Sequence, residues 1–135
     1  MSIVEVKEGE LVLARYIPVD TAWKAGLTFF SKDDDFIQVG VWGYSKGKKL
    51  QAHIHNEVSR NVLWTQEVIF VRKGKIQSNI FDTKGKKVAE LNVGEGDIIM
   101  LLRGGHGYDI LEDETEVLEV KNGPYVGADL DRRRI

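Results

Sequence analysis

Apolar and polar side chains alternate with period two along almost the whole chain. Between Phe36 and Tyr44, Ile37, Val39 and Val41 project to one side and Phe36, Gln38, Trp42 and Tyr44 to the other, as on a pleated strand. The same alternation predicts strands over residues 10–17, 50–55, 66–72, 75–81, 88–93, 97–102, 106–111 and 115–121, about nine in all. Short turn signals separate them: Lys73-Gly74, Asp82-Thr83-Lys84-Gly85, Gly94-Glu95-Gly96 and Arg103-Gly104-Gly105. Helical signals are confined to residues 21–27, with Asp20 as N-cap, and part of 56–64. Short strands at this spacing imply an all-β sandwich or barrel.

Several strands are apolar on both faces, notably Val68-Ile69-Phe70-Val71 and Ile98-Ile99-Met100-Leu101-Leu102. A face of that kind needs a cover. The N-terminal strands folding back, or a second copy in an isologous homodimer, would supply it, and the homodimer is the expected answer.

With 135 residues the chain has the length of one domain. Its 19 basic and 21 acidic residues lack the broad positive field that nucleic acid or an anionic membrane would require. Residues 1–10 carry no secretory signal and no run is long enough to span a bilayer, so a cytoplasmic protein with no membrane partner is expected. Cysteine is absent, which removes disulfides, thiolate metal sites and thiol nucleophiles together. A metal would have to be held by nitrogen and oxygen.

The chain has three histidines. His53 and His55 are two apart on a predicted strand, so their imidazoles share a face about 6.6 Å apart at Cα, a spacing that suits two ligands of one ion. Glu67 opens the apolar run Val68-Ile69-Phe70-Val71, where an unpaired carboxylate costs several kcal/mol, roughly, and calls for a cation. His106 follows Gly104-Gly105 and opens another strand.

The stretch from Gly47 through His53-x-His55 and Glu67 to Gly74 resembles the first motif of the cupin superfamily, and Gly96 through Gly104 to His106 resembles the second. The resemblance implies an antiparallel jelly-roll barrel. It also implies one divalent ion (iron, manganese, nickel, zinc, cobalt or copper) held by His53, His55, Glu67 and His106. Departures are visible. Eleven residues separate His55 from Glu67, a longer gap than the family's usual one, which implies an inserted loop. Leu102 stands where a proline is usual and Ile110 where an asparagine is usual. The segment Thr65-Gln66-Glu67-Val68-Ile69-Phe70-Val71 and the ending Gly123-Pro124-Tyr125 also resemble small cupins associated with surface-polysaccharide and sugar-nucleotide enzymes.

Other side chains complete the picture. Tyr108 shares a face with His106, where its hydroxyl could meet a substrate or donate a proton, or be a core aromatic. Arg60 and Trp64 lie in the inserted loop, as candidate contacts to a sugar-like or anionic ligand or as rim packing. Glu57, the rival carboxylate to Glu67, falls in a polar loop. Asp33-Asp34-Asp35 reads as a solvated turn, and Asp131-Arg132-Arg133-Arg134 as a frayed tail. Three imidazoles and a carboxylate leave open positions on an octahedral ion. The expected function is therefore an enzyme on a small sugar-like substrate, an isomerase or epimerase by preference, with a dioxygenase or a non-catalytic ligand sensor as alternatives.

Overall fold

A computed structural model describes residues 2–135. Its strands are β1 (Val4–Glu8), β2 (Leu11–Ile17), β3 (Gly26–Phe29), β4 (Gly40–Gly43), β5 (Glu67–Lys73), β6 (Lys75–Phe81), β7 (Lys87–Gly94), β8 (Ile98–Leu101), β9 (Gly105–Ile110) and β10 (Glu116–Lys121). One short helix, α1 (Ala128–Asp131), follows. The strands form a five-stranded sheet β1-β2-β8-β5-β10, a three-stranded sheet β7-β6-β9 and a two-stranded ribbon β3-β4, with antiparallel neighbours throughout. The architecture is thus almost entirely β, as the alternation requires. Its two larger sheets stack face to face and are not hydrogen-bonded into one closed barrel. Among the described residues no helix is long and apolar enough to cross a membrane.

Between the sheets, Leu13, Ile69, Val71, Ile99 and Leu101 meet Ile76, Ile80 and Val93, all buried. Burying each such side chain is worth about 1.5–3 kcal/mol, which makes this layer the principal source of stability. The outer face of the five-stranded sheet carries a second cluster, Ile17, Met100 and Leu102 with Val68 and Ile98, covered by Phe30, Ile37, Val39 and Val41. Arg15, nearly buried, fastens that cover: Nε donates to Glu5 Oε2 at 2.9 Å, and Nη1 donates to the Phe30 carbonyl at 2.9 Å and to Asp35 at 3.3 Å. The cover therefore comes from residues 30–41. The N-terminal strands, the alternative to a second copy as a cover, lie in the sheet itself, with β1 at its edge. Asp35, expected in a solvated turn, is one of Arg15's partners.

Four local expectations are corrected. Residues 21–27 form no helix, because Gly26–Phe29 pairs with Gly40–Gly43, and ladder bonds override a weak helical preference. The strand expected over 36–44 shortens to Gly40–Gly43, since 36–39 leave the ribbon to cover the outer face. Residues 48–63 contain neither the strand expected at 50–55 nor the helix expected within 56–64. Alternation marks a segment able to pair, but a strand exists only where an edge receives it. Every residue from Trp42 to Leu63 is exposed, so this stretch is an extended arm.

Candidate functional site

Strand β5 begins at Glu67, and the pleat turns its carboxylate to the same inter-sheet face as Ile69 and Val71. Gly104 sets up the opposite wall. At φ +75° it adopts a conformation that suits glycine, and a Cβ there would overlap the Phe81 carbonyl oxygen. The chain then enters β9, which pairs with β6 so that His106 lies beside Ile80 and Tyr108 beside Ser78. His106 and Tyr108 consequently face Glu67 across the gap.

His106 Nε2 stands 2.7 Å from Glu67 Oε2, and Lys121 Nζ stands 3.5 Å from Oε1. The ring of Tyr108 lies 5.5 Å from that of His106, tilted by 44°. Glu67 is only 7% exposed. Burial pushes its carboxyl up, but the close contact and charge of His106, helped by Lys121 and Glu119, outweigh this and hold it below the ordinary carboxylate range. Burial, followed by the charges of Glu67 and Glu119, raises the Tyr108 phenol far above its usual value and keeps it protonated.

Two polar atoms at this site are buried without an aligned hydrogen-bond partner among the described residues: Glu67 Oε2 and the Tyr108 hydroxyl. Ser78 Oγ, beside Tyr108 on β6, is a third. The short approach of His106 to Glu67 is therefore a contact of charge and lone pair more than an aligned hydrogen bond. Buried polar atoms left in this state are costly, and a water, an ion or a ligand can supply the missing partner.

The other predicted ligands are elsewhere. His53 and His55 lie on the exposed arm, with ring centroids 4.9 Å apart at 80°, and His53 Nδ1 is 3.2 Å from the Gln51 carbonyl. Among the described residues no three His, Asp or Glu side chains converge on one point. The single chain thus assembles the predicted donors as two pairs, one in the body and one on the arm. Arg60 is exposed on the same arm. Trp64 sits at its root, where Nε1 donates to the Leu102 carbonyl at 2.8 Å, Phe36 lies 4.6 Å away and the Arg103 guanidinium stacks 3.7 Å from the ring. Tyr108 alone of the three predicted substrate contacts joins Glu67 and His106.

The body pair fits a metal in its chemistry and spacing. Two donors bound at about 2.1 Å and at right angles on one ion stand about 3 Å apart, close to the separation of His106 from Glu67. A carboxylate oxygen that lacks a donor is the state in which a cation is accepted. Lys121 is the residue sequence reasoning missed. It ends β10 directly beside Glu67 in the β5–β10 register, and only that non-local pairing reveals it. At a cleft of about 290 Å³ on the outer face, Arg15 is paired with Asp35 and Arg103 is stacked on Trp64.

Compared with models of protein families, with curated proteins and with solved structures, the chain finds no match.

Proposed function

We propose that this chain is a cupin-type jelly roll that holds one divalent ion and acts, as an isomerase or epimerase, on a small polar carbonyl compound of the sugar type. The observation that carries the reading is the buried Glu67 carboxylate, 2.7 Å from His106 with its Oε2 lacking an aligned donor. Glu67 and His106 would hold the ion, joined by His53 and His55. A bound ion there supplies charge that polarises a substrate oxygen. The chain's own residues do the rest. Tyr108, held protonated by burial and nearby carboxylates, is placed to donate a proton to an oxygen bound between the sheets. Lys121 balances the carboxylate from the open side of β10.

The test is titration of chelator-treated protein with Co²⁺, followed by its d–d absorption and by elemental analysis. One ion per chain is expected, reduced at least tenfold by Glu67→Gln or His106→Gln, and an unchanged stoichiometry in both variants would refute the assignment. Turnover of a panel of sugar phosphates and nucleotide sugars then reads the activity.

A second reading has its own support. A carboxylate against an imidazole, with a partnerless buried phenol 5.5 Å away between ring centroids, is also the makings of a metal-independent acid–base pair. His106 would take the proton with Glu67 behind it, and Tyr108 would return one. Turnover that survives exhaustive chelation but is lost in Tyr108→Phe separates this reading from the first.

A further inference from the structure

Both roots of the arm are fastened to the outer face of the five-stranded sheet. Val41 packs there with Phe30, Met100 and Leu102, and Trp64 is held by the Leu102 carbonyl and the Arg103 guanidinium. Glu67 and His106 lie on the opposite, inter-sheet side. Between the roots the arm exposes Leu50, Ile54, Val58, Val62 and Leu63, with Ile54 91% accessible. These apolar side chains are all substantially exposed, and a folded protein covers a run of this kind.

The body shows the matching deficit. In the sheet β7-β6-β9 the strand β9 is an edge, so the backbone groups along one of its sides have no ladder partner. Next to it, the face of β10 that carries Val117, Glu119 and Lys121 is uncovered, although it belongs to the same inter-sheet side as Glu67. A strand added to the β9 edge would close that gap. Such a strand would lie about 4.8 Å from β9, and alternation would turn one of its faces toward His106 and Glu67. In residues 50–55 one face bears Gln51, His53 and His55, and the other bears Leu50, Ala52 and Ile54.

We infer that the arm of one copy adds to the β9 edge of a second copy, so that His53 and His55 of each chain complete the Glu67–His106 site of the other. This inference rests on the metal-binding reading above. In the single chain the arm forms no strand and β9 ends its sheet, whereas a second copy related by a two-fold axis would bring an open β9 to the projecting arm. The exchange is reciprocal, so one contact made twice covers both arms and leaves no open end. It also accounts for the division of the ligands into an arm pair and a body pair.

Complementation tests it. An arm variant, His53→Gln with His55→Gln, and a body variant, Glu67→Gln with His106→Gln, are each treated with chelator, then unfolded and refolded alone or as an equimolar mixture. Neither binds Co²⁺ by itself. The mixture is expected to recover about a quarter of the wild-type Co²⁺, because half of the dimers are mixed and each holds one whole site. With different tags on the two variants, that metal must copurify with the doubly tagged species. The thermal melt of each variant checks that it folds, and His53→Gln mixed with Glu67→Gln repeats the test if a double variant does not. Wild-type protein that binds one Co²⁺ per chain while the mixture recovers none overturns the exchange and leaves the metal reading standing. Wild-type protein that binds no Co²⁺ overturns the metal reading, and the exchanged site with it.

Discussion

Replacing Glu67 by Gln keeps the side-chain volume and removes the charge, so it measures what the carboxylate contributes to the chelator-treated protein. In the native fold the carboxylate is nearly buried, with His106 Nε2 at 2.7 Å and Lys121 Nζ at 3.5 Å. Removing one member of a nearly buried charge pair leaves its partners uncompensated, and relief of the carboxylate's own desolvation returns part of that cost, so a net loss of about 1–2 kcal/mol is expected at pH 7. For a domain of this size that is a fall in Tm of about 3–8 °C. The pH dependence fixes the sign independently. The folded carboxyl is held below its ordinary value of 4.5, so its contribution is fully present above that value and disappears as pH falls through the lower, folded one. Differential scanning calorimetry of both proteins between pH 7 and pH 3 should therefore show a Tm gap that narrows as pH falls below about 4.5. A gap that persists unchanged at pH 3, or a Gln variant more stable than wild type at pH 7, would refute the assignment of the charge.

Gly104→Ala combines a left-handed backbone with overlap on the Phe81 carbonyl, and denaturant unfolding should show a loss of about 1–3 kcal/mol. Tyr108→Phe removes a buried hydroxyl that has no partner among the described residues; stability should hold or rise by up to about 1 kcal/mol, and the proposed reading requires that turnover on the sugar panel fall at least tenfold. Trp64→Phe loses the Nε1 bond to Leu102, so limited proteolysis should cut residues 48–63 faster than in wild type while the body remains intact.

Most strands of the two larger sheets were legible, although β1 (Val4–Glu8), at the edge of the five-stranded sheet, was not among those expected. The alternation over 66–72, 75–81, 88–93 and 106–111 became β5, β6, β7 and β9 with ends moved by a residue or so, because each inward side chain had a layer to meet. Residues 50–55 carry the same alternation, yet they pair with no edge of their own chain, and nothing local to the sequence says so. Arg15 was illegible for a related reason. A guanidinium in the middle of β2 becomes buried only once residues 30–41 arrive with the Phe30 carbonyl and Asp35 to receive it. At the site, Glu67 stood out as an acid heading an apolar strand, and the cupin resemblance pointed to His106 as its companion. Their approach across two sheets, with Lys121 alongside, depends on the registers of β5 with β10 and of β9 with β6, which composition and periodicity leave open.

The position of β8 has a consequence for how the chain is made. This strand is the bridge of the five-stranded sheet, pairing Ala14 with Leu101 on one side and Glu67 with Leu101 on the other. Until Leu101 has left the ribosome, β2 has only β1 to pair with, and β5 has no neighbour in its sheet. A two-stranded hairpin is marginal in water, so most of the nascent chain must wait unassembled. Folding is then a late and slow event governed by contacts distant in sequence, and a chain cut short before residue 98 has no route to the native sheet.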